Sequence, residues 1–305
     1  MRPGNGNLTE PWSVPPQPAT LSLNLEPSMH RFAASLAVLF LVAGCAGAAA
    51  TPSASQGPAG FGLTAWTSQA LPPVGAFGSG GPILVIHQGA LIVHGPQMAI
   101  YPGPLLPNLQ QRPISQAGID AIVVAARSAG LLDGPTDLTG GLPPGGQTAH
   151  LRFVIDGVER EVIGDPTRQI VCVTTPCDGA PGSPEAFGQF WARIQDVQSW
   201  LGAELGPEAP YATDRLAVLL TEPVLDASLP PSFARWPLAG EMANFGVELP
   251  GAPPARCGVV EGEELAPVLA AFGRANALTR WTDDTDAQYG AVARPLFPGE
   301  PNPCG

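Results

Sequence analysis

The sequence predicts an α+β protein, two small antiparallel sheet-plus-helix units that are loop-rich and disulfide-braced, set behind an export leader. Three observations carry that expectation. Short apolar runs of strand length are interspersed with long segments of helical period. Gly 37 and Pro 37 in 305 residues cut the chain into many turns, while 45% of it stays hydrophobic, enough for a core. Four of the 5 cysteines, Cys172, Cys177, Cys257 and Cys304, follow the first apolar runs, where they can brace a loop-rich body. The boundaries that follow are a leader and signal peptide over 1–44, a flexible tether over 45–61, a first α+β domain over 62–205 and a second over 206–305.

Residues 1–28 are polar and Pro-rich with no periodic apolar face, so they bury too little to offset the entropy of ordering. A targeting signal works from an amino terminus, which makes Met29 the expected start. His30 and Arg31 form a short basic region, residues 32–41 an apolar stretch of signal-peptide length, and Val42-Ala43-Gly44-Cys45 resembles a bacterial lipoprotein signal. That resemblance implies acylation of Cys45 by palmitate-like chains and attachment to a membrane on its extracytoplasmic side. An uncleaved anchor running on to Ala50 is the competing reading. The charge-free segment 46–60 has the composition of a tether.

With Cys45 lipidated, four cysteines remain. Cys172 and Cys177 lie in one short segment and pair at small entropic cost, leaving Cys257 to tie down the tail at Cys304. A zinc site is the alternative, but no histidine lies near either pair.

In the first domain, residues 83–86, 91–93 and 98–101 read as a three-stranded meander split by Gln88-Gly89 and Gly95-Pro96. Ser115 opens a helix with Ile119, Ile122, Val123 and Ala126 on one face and Gly130 as its terminator. Residues 151–155 and 158–163 form a hairpin about Asp156-Gly157. A second helix starts at Ser183 with Pro184 in its first turn and carries Phe187, Phe190, Trp191, Ile194, Val197 and Leu201 as a core stripe. In the second domain, 216–220 and 256–260 read as strands, 233–251 as an irregular connection, 263–275 as a helix and 288–293 as the closing strand. Segments 114–132 and 260–278 align without gaps, a pattern that duplication or shared helical period both explain.

Tyr101-Pro102-Gly103-Pro104, Ala129-Gly130-Leu131-Leu132, Arg235-Trp236-Pro237-Leu238, Arg256-Cys257-Gly258-Val259-Val260, Ala275-Asn276-Ala277-Leu278 and Ala293-Arg294-Pro295-Leu296 resemble a group of uncharacterised bacterial secreted lipoproteins. The order of elements in the first domain resembles a small extracytoplasmic domain of other bacterial lipoproteins. Both resemblances imply a cell-envelope address and no particular activity.

The formal net charge is −12, and no lysine is present. Without clustered positive charge, nucleic acid is excluded as a partner. Ser79 lacks the glycine two residues earlier that a nucleophile elbow requires. His87, His94 and His150 fall on strands, where histidines more often are part-buried, hydrogen-bonded structural groups; the first two would offer a two-nitrogen metal site or a base only if they shared a sheet edge. Asp283, Asp284 and Asp286 read as a solvated turn, since the calcium-loop spacing and glycine are missing. An active pocket would have to join His87, His94, Asp133, Asp137 and Glu159, and no spacing does so. No catalytic residue, metal or cofactor is therefore assigned. The expected function is a lipid-anchored, non-enzymatic binding or accessory module with an envelope protein or polymer as partner. The alternatives are an envelope hydrolase using dispersed acidic residues and a presenter of the constrained loop 171–177 to proteases.

Overall fold

In the computed structural model, residues 60–69, 81–97, 99–141, 146–168, 179–250 and 254–305 are described. The chain enters the fold at β1 (Phe61–Gln69), which turns Phe61, Leu63 and Ala65 inward and Gly62, Thr64 and Trp66 to the other face. Phe61, the last residue of the expected tether, opens this strand. β2 (Leu84–His87) and β3 (Ala90–His94) form a tight hairpin whose turn residues Gln88 and Gly89 both have positive φ, 48° and 75°.

The third strand of the meander is β4 (Leu109–Pro113), not 98–101. Pairing stops at Gly95, and the chain then leaves the sheet to deliver Leu105 into a different core before returning. α1 (Gln116–Ser128) is capped by the Ser115 hydroxyl, which accepts from Gly118 N. It ends in paired bonds, Gly130 N to Arg127 O and Leu131 N to Ala126 O, with Gly130 at φ 71°. β5 (Asp137–Leu138) precedes the hairpin of β6 (Gln147–Ile155) and β7 (Val158–Gly164), turned at Asp156-Gly157. α2 (Pro184–Gln195) breaks at Asp196 and continues as α3 (Val197–Trp200).

Next come β8 (Ala209–Pro210), β9 (Arg215–Thr221), β10 (Ser232–Arg235), β11 (Val247–Leu249), β12 (Ala255–Glu261), α4 (Leu265–Phe272), β13 (Thr279–Thr282) and β14 (Gln288–Pro295). The span expected to be irregular, 233–251, thus holds strand residues at both ends, and α4 is shorter than expected because Gly262–Glu264 form a 3-10 turn.

Eight strands form one sheet in the order β5-β7-β6-β1-β2-β3-β4-β8 and six form another in the order β10-β13-β14-β9-β12-β11. Both are mixed rather than antiparallel, because β5 runs parallel to β7 and β10 parallel to β13. Each returns to its partner through a connection long enough for a crossover.

One face of the first sheet is covered by α1 and α2. Ile119, Ile122, Phe187, Phe190 and Trp191 pack on Leu63, Ile86, Leu151 and Phe153. The approach is close at Gly164, where a Cβ would meet the Phe187 ring at 2.4 Å. On the second sheet α4 sets Val268 and Phe272 against Leu216, Val218 and Trp281, with Trp236 and Met242 completing that core. At about 1.5–3 kcal/mol per large apolar side chain, such burial is the main stabilising term.

The two sheets belong to one compact unit. Leu105, from the β3–β4 connection, is buried in the second core, and Ala277 N donates to Gly103 O at 2.9 Å. In return Phe297 packs on Val85, Ile92 and Leu109, the outward face of the first sheet, and stacks on Tyr211. The tail is held three ways. Cys257 and Cys304 form a buried disulfide 47 residues apart. Arg294 pairs with Glu300 at 2.6 Å, and Glu300 also accepts from Phe297 N.

Candidate functional site

Outward-facing residues of β1, β6 and β7 share one face of the first sheet, because alternation sends every second side chain away from α1 and α2. The register sets Trp66 opposite His150, Ser68 opposite Thr148, and Arg152 opposite Glu161. Ser68 and Glu161 therefore both lie diagonal to His150, on either side of it.

The side chains complete a relay. Ser68 Oγ lies 2.7 Å from His150 Nε2, and His150 Nδ1 lies 2.9 Å from Glu161 Oε1. A carboxylate only accepts, so the proton is assigned to Nδ1 and donated to Glu161, while Nε2 accepts from the Ser68 hydroxyl. The imidazole stacks on the Trp66 indole, centroids 4.7 Å apart and planes 12° from parallel. Ser68 is exposed, and Glu161 keeps 46% of its side-chain surface, so solvent and solutes reach the relay.

The residues that the sequence singled out are dispersed. His87 closes β2 in a groove of about 530 Å³ that it shares with Arg152 and Glu159. His94 closes β3 in a larger cleft of about 840 Å³, walled by Ile83, Val93 and Phe297 and rimmed by Asp196, Gln198 and Ser199 of the α2–α3 junction. Desolvation lowers the His94 imidazole pKa, partly offset by a hydrogen bond with the Pro82 backbone. The register keeps His87 and His94 from sharing a metal, in keeping with no such site having been assigned to them. His87 faces Ala90 and His94 faces Leu109, at opposite ends of the hairpin, about 13 Å apart along the strands.

Asp133 sits in the turn after α1, and Asp137 is on the edge strand β5. The Asp137 carboxyl pKa is lowered by the Thr139 N–H and hydroxyl. Neither lines the two cavities. The acidic run is not uniformly solvated. Asp283 is buried and accepts from Met242 N, Thr285 N and the Thr285 hydroxyl, Asp284 pairs with Arg235, and Asp286 adopts a positive φ. Cys45, Ser79, Cys172, Cys177 and the loop 171–177 lie outside the described residues.

Ser68 and Glu161 were not singled out by the sequence. The Asp156-Gly157 turn fixes the register that brings Glu161 beside His150, so half of the relay was available there. Ser68 comes from a strand 82 residues away and is found only through the sheet. No protein-family model matches this chain, nor does any curated protein or solved structure.

Proposed function

We propose that this chain is an extracytoplasmic lipoprotein, held to a membrane through acylated Cys45, whose folded part is a binding or accessory module for an envelope protein or polymer. In this reading the leader covers 1–44, the tether 45–61, and the two α+β units 62–205 and 206–305 work as one body. The observation that carries the reading is the Cys257–Cys304 disulfide, a bond that persists in oxidising compartments. Binding is supported by the cleft at His94, whose apolar walls, few polar groups and volume of about 840 Å³ fit a small-ligand or peptide site. The alternative, an envelope hydrolase, draws its support from the serine relay rather than from dispersed acids.

Intact mass of the protein from a membrane fraction, with and without reduction, tests the proposal. A diacyl or triacyl chain starting at Cys45, with Cys257 and Cys304 alkylated only after reduction, is the expected result. An unmodified chain retaining Met1 or Met29, with free thiols, overturns it. A photoreactive residue at Gln198 on the cleft rim should crosslink an envelope component in cells, whereas one at exposed Val158 should not.

A further inference from the structure

We infer that Ser68, His150 and Glu161 form an acyl-transfer site in which Ser68 is the nucleophile, His150 its general base and Glu161 the residue that positions the imidazole, acting on carboxylic esters approached from solvent.

A serine hydroxyl is a weak nucleophile until a base within hydrogen-bond reach takes its proton, and that base works best when a third group fixes its tautomer. Both conditions are met by the 2.7 Å and 2.9 Å contacts. The His150 side chain keeps only 17% of its surface, so its ring nitrogens are partnered by protein rather than by bulk water. Here side chains from two other strands engage both ring nitrogens, in the order nucleophile, base, carboxylate. Trp66 restricts the ring from a third direction. The scaffold is rigid, because β1 and β6 pair from Phe61↔Ile155 through to Gln69↔Gln147, and β6 and β7 pair through to Ala149↔Gly164. No glycine elbow is needed when the strand itself presents the hydroxyl on an open face.

The chemistry balances without a metal or redox partner. Ser68 Oγ forms a bond to the ester carbonyl carbon while His150 Nε2 takes the hydroxyl proton. The bond from that carbon to the leaving oxygen then breaks, and the proton passes from His150 to the departing alcohol. Water, deprotonated by His150 Nε2, then bonds to the acyl carbon, the bond from that carbon to Ser68 Oγ breaks, and the proton passes from His150 to Oγ, which releases the carboxylic acid and restores the serine hydroxyl.

The test uses the full chain, a fluorophosphonate that phosphonylates activated serines, and p-nitrophenyl acetate as substrate. Labelling should map to the peptide containing Ser68 and vanish in Ser68→Ala. His150→Ala should slow both labelling and ester cleavage about 10²–10⁴-fold. Glu161→Gln should lower kcat more than KM and displace the pH profile of kcat/KM, which a purely structural carboxylate would not do. Far-UV circular dichroism and the urea midpoint check that each variant is folded, since Trp66, stacked on His150, changes the near-UV signal on substitution alone. Should His150→Ala unfold, His150→Gln decides, since it keeps much of the ring's bulk and supplies no base. Absence of label at Ser68, or equal rates with and without the imidazole, overturns the inference.

Discussion

Arg294 and Glu300 keep 9% and 12% of their side-chain surface, so their ion pair at 2.6 Å is screened little by water. Removing one partner of such a pair leaves the other charge buried. Glu300→Ala should therefore cost about 3–5 kcal/mol, read as a lower urea midpoint, with some of the loss coming from the freed Phe297 N–H. Asp283 makes a different prediction. The Thr285 hydroxyl, then the Met242 N–H, hold its carboxyl below the ordinary 3.8, against desolvation. A folded pKa below the unfolded one gives stability that is complete above about pH 4 and lost as pH falls through the folded value. Asp283→Asn should lower the thermal midpoint at neutral pH and flatten the acid decline below about pH 4. At this scale the sequence was readable only where partners are local. His150 and Glu161 follow from one hairpin, while the inward turn of Asp283 toward Met242 depends on a contact 41 residues away.

Elements whose signals are local were the ones the sequence showed well. Ser115, Gly130, Ser183 and Pro184 mark helix ends because the cap satisfies backbone groups within three or four residues of itself. Ser183→Ala should remove the bond to Ala186 N and cost about 1 kcal/mol, measured by chemical denaturation. Gly164→Ala should cost more, because its Cβ would enter the fully buried Phe187 ring and α2 would have to lift from the sheet. Strands set by distant partners were harder. β1 shows clear alternation, yet Gly62 and Ala65 and the small-residue sequence before it weaken the apolar signal. β4 is polar over Gln110, Gln111 and Arg112, and its pairing comes from lying between β3 and β8. β10 and β13 pair in parallel across 47 residues, a register that no turn announces.

Across the whole molecule, two cores are fastened by exchanged side chains, Leu105 in one direction and Phe297 in the other. Unfolding followed at Trp191 in the first core and at Trp281 in the second should give coincident transitions, and Leu105→Ala should make them separate. Reducing Cys257–Cys304 should cost about 2–5 kcal/mol, since the bond closes a 47-residue loop in the unfolded chain. The place of β1 has a mechanical side. It lies between β6 and β2, paired along its full length on one flank. Tension on the chain ahead of Phe61 runs along this strand, across the ladder bonds on its β6 flank. Those bonds share the load in shear instead of opening one after another like a zip, so a pull on the chain ahead of Phe61, whatever its source, meets the strand that the sheet grips over the greatest length.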